Sequence, residues 1–349
     1  MNTAKRTTLK RLAAICGMAA CVSLQPLLAS PVHASTSINF TLDWRFEGPS
    51  APFLLALDKG YFAEEGLSVN IDSGNGSAGA VTRVATGAYD MGLADFNALI
   101  EHAAANPDAG MQAVYMLYNN TPAAVFTLKD SGIDTPADLA GKTLAAPVFD
   151  AGRKAWPAFA SHNDLAVDSV TWQSVDPAIR ETLLARRQVD GITGFYFTSL
   201  LNLEARGIAP EMITVMPYAD FGVALYGNAI IASDKLLAEN PEAVAGFVRA
   251  FNRALLETLE DPAAAVKHVK RRDALVDEAL ELRRLKLALD AQVVTDETLV
   301  EGLGAVTQAR LEQSIAEAVS AFGLESTPEA ARLFNAEFLP ELSSRSVSR

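Results

Sequence analysis

Cysteine is nearly missing from this 349-residue chain: there are two, Cys16 and Cys21, both inside the first 34 residues. Once that segment is set aside, no thiol remains for a disulfide, a thiolate metal site or a cysteine nucleophile. Histidine is almost as scarce. Beyond residue 34 only His102, His162 and His268 remain, and none stands at a metal-ligand spacing from another, so no metal centre is expected. No Gly-x-Ser-x-Gly elbow, Walker loop or His-Glu-x-x-His run occurs. Basic charge is the third shortage. The formal charge is −13, and without the four basic residues of the first segment it becomes −17, with 25 Lys and Arg against 42 Asp and Glu. Such a balance argues against nucleic acid and anionic membrane surfaces as partners, because both want a basic face. Half the residues are hydrophobic and a fifth are charged, an ordinary globular composition with length for two domains.

The first 34 residues read as a signal peptide. Lys5, Arg6, Lys10 and Arg11 form a basic stretch, Leu12 to Leu28 is mostly apolar, and Val32-His33-Ala34 gives a small-x-small cleavage site before Ser35. Gln25 and Pro26 interrupt a run already short for a bilayer span. Met18-Ala19-Ala20 is a poor lipidation motif ahead of Cys21, and Lys5-Arg6 only echoes a twin-arginine signal. Export by the general route, with cleavage near Ala34, is the expectation.

The mature chain opens on a strand-helix-strand unit. Ile38, Phe40 and Leu42, then Leu67, Val69 and Ile71, alternate as strands do, around a helical segment holding Phe53, Leu54, Leu57, Tyr61 and Phe62. Asp43, Trp44 and Arg45 close the first strand ahead of Gly48, Pro49 and Pro52, which suit a helix start. Charged and aromatic groups therefore stand at a carboxyl strand end, where open α/β sheets bind ligands.

Gly74, Gly76 and Gly79 match G-x-G-x-x-G between a strand and a helix, and Asp95 follows Gly74 by 21 residues. One reading is an exported dinucleotide-dependent oxidoreductase. The other is a loop whose backbone N–H groups face a ligand, with Asn75, Gly76 and Ser77 at the helix start. Asp95 ends the next strand, and Tyr118 and Asn119 fall where the chain would first cross between lobes. From Asp134 onward strands alternate with short helices, which predicts a parallel sheet covered on both faces. In this half the loop Phe149 to Arg153, with Asp150 and Arg153 as candidate contacts, stands at one strand end and Phe195-Tyr196 at another, with Tyr196 the preferred contact because a buried hydroxyl demands a partner. Tyr226 and Asn228 flank a Gly in the returning strand. Everything after Ser233 reads as helices, including the basic run Lys267 to Arg272, expected to be a solvated face. Carboxylate pairs such as Asp43 with Glu47, or Glu64 with Glu65, have the chemistry for acid-base work.

Leu42-Asp43-Trp44, the small-residue helix and the phrase DKGYFAEEGLSVNI from Asp58 to Ile71 resemble the start of substrate-binding proteins of ABC importers for nitrate, sulfonates, taurine and thiamine pyrimidine precursors. Thr327 to Pro340, TPEAARLFNAEFLP, resembles the closing segment of the thiamine-pyrimidine branch. The resemblance implies a two-lobed α/β fold of mixed sheets flanked by helices, with two crossovers near residues 119–123 and 218–223. Lobe 1 would comprise 35–121 and 222–349, and lobe 2 would comprise 122–221. It implies a periplasmic monomer without a cofactor that captures a small polar heterocycle and delivers it to a membrane permease. Sulfonate, nitrate and aromatic carboxylate are the alternatives within that class. A yeast-type relative makes the pyrimidine by consuming its own histidine with cysteine-rich iron chemistry, so a chain without cysteine after residue 34 points to binding rather than catalysis.

Overall fold

The computed structural model describes residues 35–107 and 110–348, so the expected signal peptide and both cysteines lie outside the described residues. Ten strands build two five-stranded sheets. They are β1 (Thr36–Thr41), β2 (Leu67–Asp72), β3 (Met91–Asp95), β4 (Met111–Met116), β5 (Ala123–Leu128), β6 (Thr143–Ala146), β7 (Thr171–Ser174), β8 (Gly191–Phe195), β9 (Ile213–Pro217) and β10 (Asn228–Ser233). One sheet runs β2-β1-β3-β10-β4 and the other β7-β6-β8-β5-β9. The chain leaves the first sheet after β4 and returns to it with β10.

Both sheets are mixed. In the first, β1 is parallel to β2 and β3, whereas β10 is antiparallel to β3 and β4. In the second, β6 is parallel to β7 and β8, as the strand-helix alternation requires. β5, which precedes that alternation, joins the sheet antiparallel to both β8 and β9. That strand arrives by the crossover from β4 rather than through a covering helix, so nothing forces it into the common direction.

The alternation that marked β1 is realised in packing. Ile38, Phe40 and Leu42 are all at most 1% exposed. Phe40 stacks on Phe53 and Phe247, Phe62 stacks on Phe247, and Phe53 meets Phe251, so the opening helix Ala51–Asp58 is held against helix Pro241–Glu260 by rings. Burying each such ring stabilises the fold by about 1.5–3 kcal/mol. The basic run does not simply face solvent: His268, Arg271 and Arg272 all reach the Asp58 carboxylate. Two later helices span both sheets' coverings. Helix Glu278–Ala288 packs on helix Tyr196–Glu204, and helix Gln308–Phe322 packs on helices Phe96–Ala105 and Ala151–His162. No helix among the described residues is long and apolar enough to cross a membrane.

Candidate functional site

The carboxyl ends of β1, β6 and β8, the start of β10 and the first crossover converge on one cleft, with walls supplied by both sheets. Its space, with the open mouth included, is about 850 Å³. Five rings, Trp44, Tyr118, Phe149, Phe195 and Phe197, line it together with Asp43, Arg45, Glu47, Asp150, Arg180, Thr198 and Asn228.

Asp43 is positioned by backbone. Its carbonyl accepts from the Gly76 N–H at 2.6 Å, and the neighbouring Trp44 carbonyl accepts from the Gly74 N–H at 2.8 Å. A Cβ on Gly74 would lie 2.1 Å from the Leu42 carbonyl oxygen, which is why that position is glycine. The glycine loop thus cradles the Asp43-Trp44 turn. Because the Gly74 and Gly76 N–H groups are already bonded, they are not free for a pyrophosphate, and the dinucleotide reading loses its physical basis.

The Asp43 carboxylate accepts from the Asn228 amide at 2.7 Å and has no cation partner among the described residues. Burial raises its pKa to about 6 against the pull of that hydrogen bond, and the neighbouring carboxylates Asp95 and Glu47 add to the rise. Burial likewise raises Glu47, opposed chiefly by the Arg284 guanidinium, whose Nε lies 3.5 Å from Glu47 Oε2. Arg284 is 2% exposed. It also donates to the Phe197 and Thr198 carbonyls and to Glu281, which in turn accepts from the Gly48 N–H. Arg180, on the opposite wall, is paired with two carboxylates: it donates to Asp150, Glu181 and Ser199. The cleft therefore offers stacking surface and an unneutralised acceptor, while its buried cations are committed.

Of the residues expected at the site, Asp43, Trp44, Arg45, Gly76, Ser77, Tyr118, Asp150 and Asn228 line this cleft. The rest are placed elsewhere. Asn75 is exposed. Asp95 caps helix Phe96–Ala105 through a bond from the Asn97 N–H and faces a smaller adjoining chamber. Arg153 lies over the Trp172 ring and donates to Ala146 and Ser174. Asn119 and Tyr226 are both held by Arg310, which donates to the Asn119 side chain and carbonyl and stands 4.3 Å above the Tyr226 ring. Tyr196 packs beside the hydrophobic cluster of the second sheet, and Phe195 takes the cleft position instead. The preference for Tyr196 is thus corrected: β5-β8 pairing sets Ala123 opposite Phe195 and makes Tyr196 the first residue of the next helix, turned into the lobe.

Sequence reasoning missed Arg180, Phe197 and Thr198 as lining residues, placed Phe149 in a cleft-facing loop without choosing it as a contact, and weighed Glu47 only for acid-base work. Phe149 carried a legible signal, since it directly precedes the capping residue Asp150 at a strand end. Arg180 and Thr198 sit within helices and carried none.

A family model described as NMT1/THI5 like matches residues 48–265. A 4-amino-5-hydroxymethyl-2-methylpyrimidine phosphate synthase of Aspergillus parasiticus is 28% identical over 243 residues, covering 66% of this chain and 69% of that protein. Riboflavin-binding protein RibY of Chloroflexus aurantiacus is also 28% identical, over 302 residues, covering 83% of this chain and 82% of its own. Among solved structures, the periplasmic aliphatic sulphonate binding protein SsuA of Escherichia coli superposes with a TM-score of 0.67 at 13% identity, covering 90% of this chain and 92% of that one. That likeness establishes the two-lobed binding-protein fold.

Proposed function

The chain belongs to the NMT1/THI5-like family, and from that premise we propose that it is an exported solute-binding protein which captures a planar, amino-bearing nitrogen heterocycle of the aminopyrimidine type and hands it to a membrane permease. The carrying observation is the Asp43 carboxylate, which accepts from the Asn228 amide, has no cation partner among the described residues, and is set among the rings of Trp44, Tyr118, Phe149, Phe195 and Phe197. Rings supply faces for a flat ligand, and an acceptor-only carboxylate reads an exocyclic amino group. Both relatives are named for molecules that contain a pyrimidine ring. Closing of the two lobes on the ring fits the walls contributed by both sheets.

Synthesis is the contrasting reading, supported by the relative named as a synthase. His102 and His162 lie away from the cleft, His162 beside Glu317, and His268 is bound to Asp58, so the cleft has no histidine to give up. A sulfonate or nitrate ligand has one observation in its favour, the helix starts at Ser77 and Ala151 on the cleft wall. Against it, the Arg180 charge is already met by the Asp150 and Glu181 carboxylates, Arg153 is outside, and Arg45 is exposed.

Thermal-shift and calorimetric titration with 4-amino-5-hydroxymethyl-2-methylpyrimidine, riboflavin, an alkanesulfonate, nitrate and a dinucleotide test the reading. Stabilisation by the aminopyrimidine is expected. Stabilisation by an anion alone, or consumption of the protein with pyrimidine formed, overturns it.

A further inference from the structure

Two chain segments pass between the sheets, one after β4 and one before β10, and they are bonded to each other. The Thr121 N–H donates to the Leu225 carbonyl and the Gly227 N–H to the Tyr118 carbonyl, both at 2.9 Å, and the Leu117 and Tyr118 N–H groups both donate to the Asn228 carbonyl. A Cβ on Gly227 would lie 2.8 Å from the Asn120 carbonyl oxygen, so the two backbones touch there. The segments form one antiparallel ribbon, and a change in the angle between the sheets bends it.

Helix Gln308–Phe322 runs along this ribbon. Positions 310, 314 and 317 share one helical face, and each of the three side chains holds ribbon backbone. Arg310 donates to the Asn119 carbonyl at 2.5 Å, to the Asn119 side chain at 2.8 Å and to Asn120 Oδ1 at 2.9 Å. Ser314 Oγ accepts from the Tyr226 N–H at 3.2 Å, and Glu317 Oε2 accepts from the Ala224 N–H at 3.1 Å. Arg310 thus grips the outgoing segment, while Ser314 and Glu317 grip the returning one. The other side of the helix is fixed as well. Leu311, Ile315 and Ala318 are buried in a cluster that contains Met116 and Ala229 of the first sheet and Val125 and Leu144 of the second. Arg310, Ser314 and Glu317 all stand outside the lining of the cleft.

A planar guanidinium bonded at three points accepts only a narrow range of ribbon positions. We infer that Arg310, Ser314 and Glu317 form a positioning stripe, which sets the angle of the ribbon and with it the spacing of the cleft walls before a ligand arrives. The stripe acts on affinity without touching the ligand, because apparent affinity scales with the fraction of molecules whose walls already stand at the binding spacing. The consequence for affinity rests on the solute-binding reading of the cleft, whereas the consequence for shape does not.

The test compares wild type with Arg310→Lys, Ser314→Ala and Phe62→Leu by small-angle scattering without ligand, by melting, and by titration with 4-amino-5-hydroxymethyl-2-methylpyrimidine. Arg310→Lys keeps a positive charge beside Glu297 but loses the fork. Its radius of gyration should exceed that of wild type, and binding should weaken about fivefold or more. Ser314→Ala should move both in the same direction by less. Phe62→Leu loosens the ring stack on Phe247 and should lower the melting temperature while leaving scattering and affinity as they are. A wild-type scattering profile in folded Arg310→Lys overturns the inference, as does an equal expansion in Phe62→Leu, which would make the effect one of stability alone. Should Arg310→Lys not fold, Ser314→Ala decides: expansion supports the stripe and an unchanged profile overturns it. If wild type does not bind the pyrimidine, the cleft reading fails, and the ligand-free scattering still decides the stripe.

Discussion

Trp44 and Asp43 are adjacent, and physical chemistry gives them opposite mutational signatures. Trp44 is half-buried on the cleft wall, with Arg45 over its ring rather than a packed core around it. Trp44→Ala should therefore weaken ligand binding by about 1–3 kcal/mol, the range for stacking on an aromatic ring, with a stability loss of only about 1 kcal/mol. Melting and calorimetry on the same variant check this; a loss of stability near that of a core ring with affinity unchanged would assign Trp44 to structure instead. Asp43 works against stability. Below its ordinary value of 3.8 the carboxyl is protonated in both folded and unfolded chains and contributes nothing. Between there and about 6 the unfolded chain has released a proton that the folded chain retains, so stability falls as pH rises, and above 6 the penalty is constant. A shift of this size corresponds to about 3 kcal/mol at most. Asp43→Asn should thus be more stable than wild type at pH 7, equal to it below pH about 3.8, and poorer at binding. Urea titrations across pH with parallel ligand binding measure both; a variant less stable at neutral pH contradicts the account.

Among the elements, the Gly74–Ser77 loop and the late helices carry the site without supplying much of its chemistry. The loop holds the Asp43-Trp44 turn through two backbone bonds, and the space beside Gly74 is filled by the Leu42 and Asp43 backbone. Gly74→Ala should cost about 1–3 kcal/mol, as overpacking against backbone does, and should also reduce affinity because Asp43 and Trp44 move with the turn. Unchanged affinity in a folded Gly74→Ala protein would separate the loop from the site. The glycine spacing was plain in the sequence, but its purpose was not: a motif records that backbone comes close to something, and only the fold says to what. Helix Gln308–Phe322 shows the same limit. Its Arg310 ties Asn119, Asn120 and Glu297 together and covers Tyr226, so both chain segments that pass between the sheets are gathered by one side chain from far down the chain.

For the molecule as a whole, the buried guanidinium of Arg284 joins the cleft residue Glu47 to the start of helix Tyr196–Glu204, and Arg283 beside it pairs with Glu204. Arg284→Met should cost about 3–5 kcal/mol, because Glu47 and Glu281 are left buried without their cation. In small-angle scattering the ligand-free variant should be more expanded than wild type and should contract when ligand is added; identical profiles would show that Arg284 does not hold the lobes together. Local pattern by itself determined much of the architecture. The alternation of Ile38, Phe40 and Leu42, the helix between β1 and β2, and the strand-helix rhythm after Asp134 follow from side-chain periodicity, which depends only on neighbours in the chain. Strand ends could be read the same way, so Asp43, Trp44 and Asn228 were legible as cleft residues. What tertiary structure alone decided was which of several strand-end side chains point inward together. Phe195 rather than Tyr196, Arg180 paired with Asp150 and Ser199, Arg284 beneath Glu47, and Asp95 with an unpartnered oxygen all depend on pairing register and on how separate elements pack together. Burial and hydrogen-bond satisfaction are properties of that three-dimensional neighbourhood, and no local window of the chain contains them.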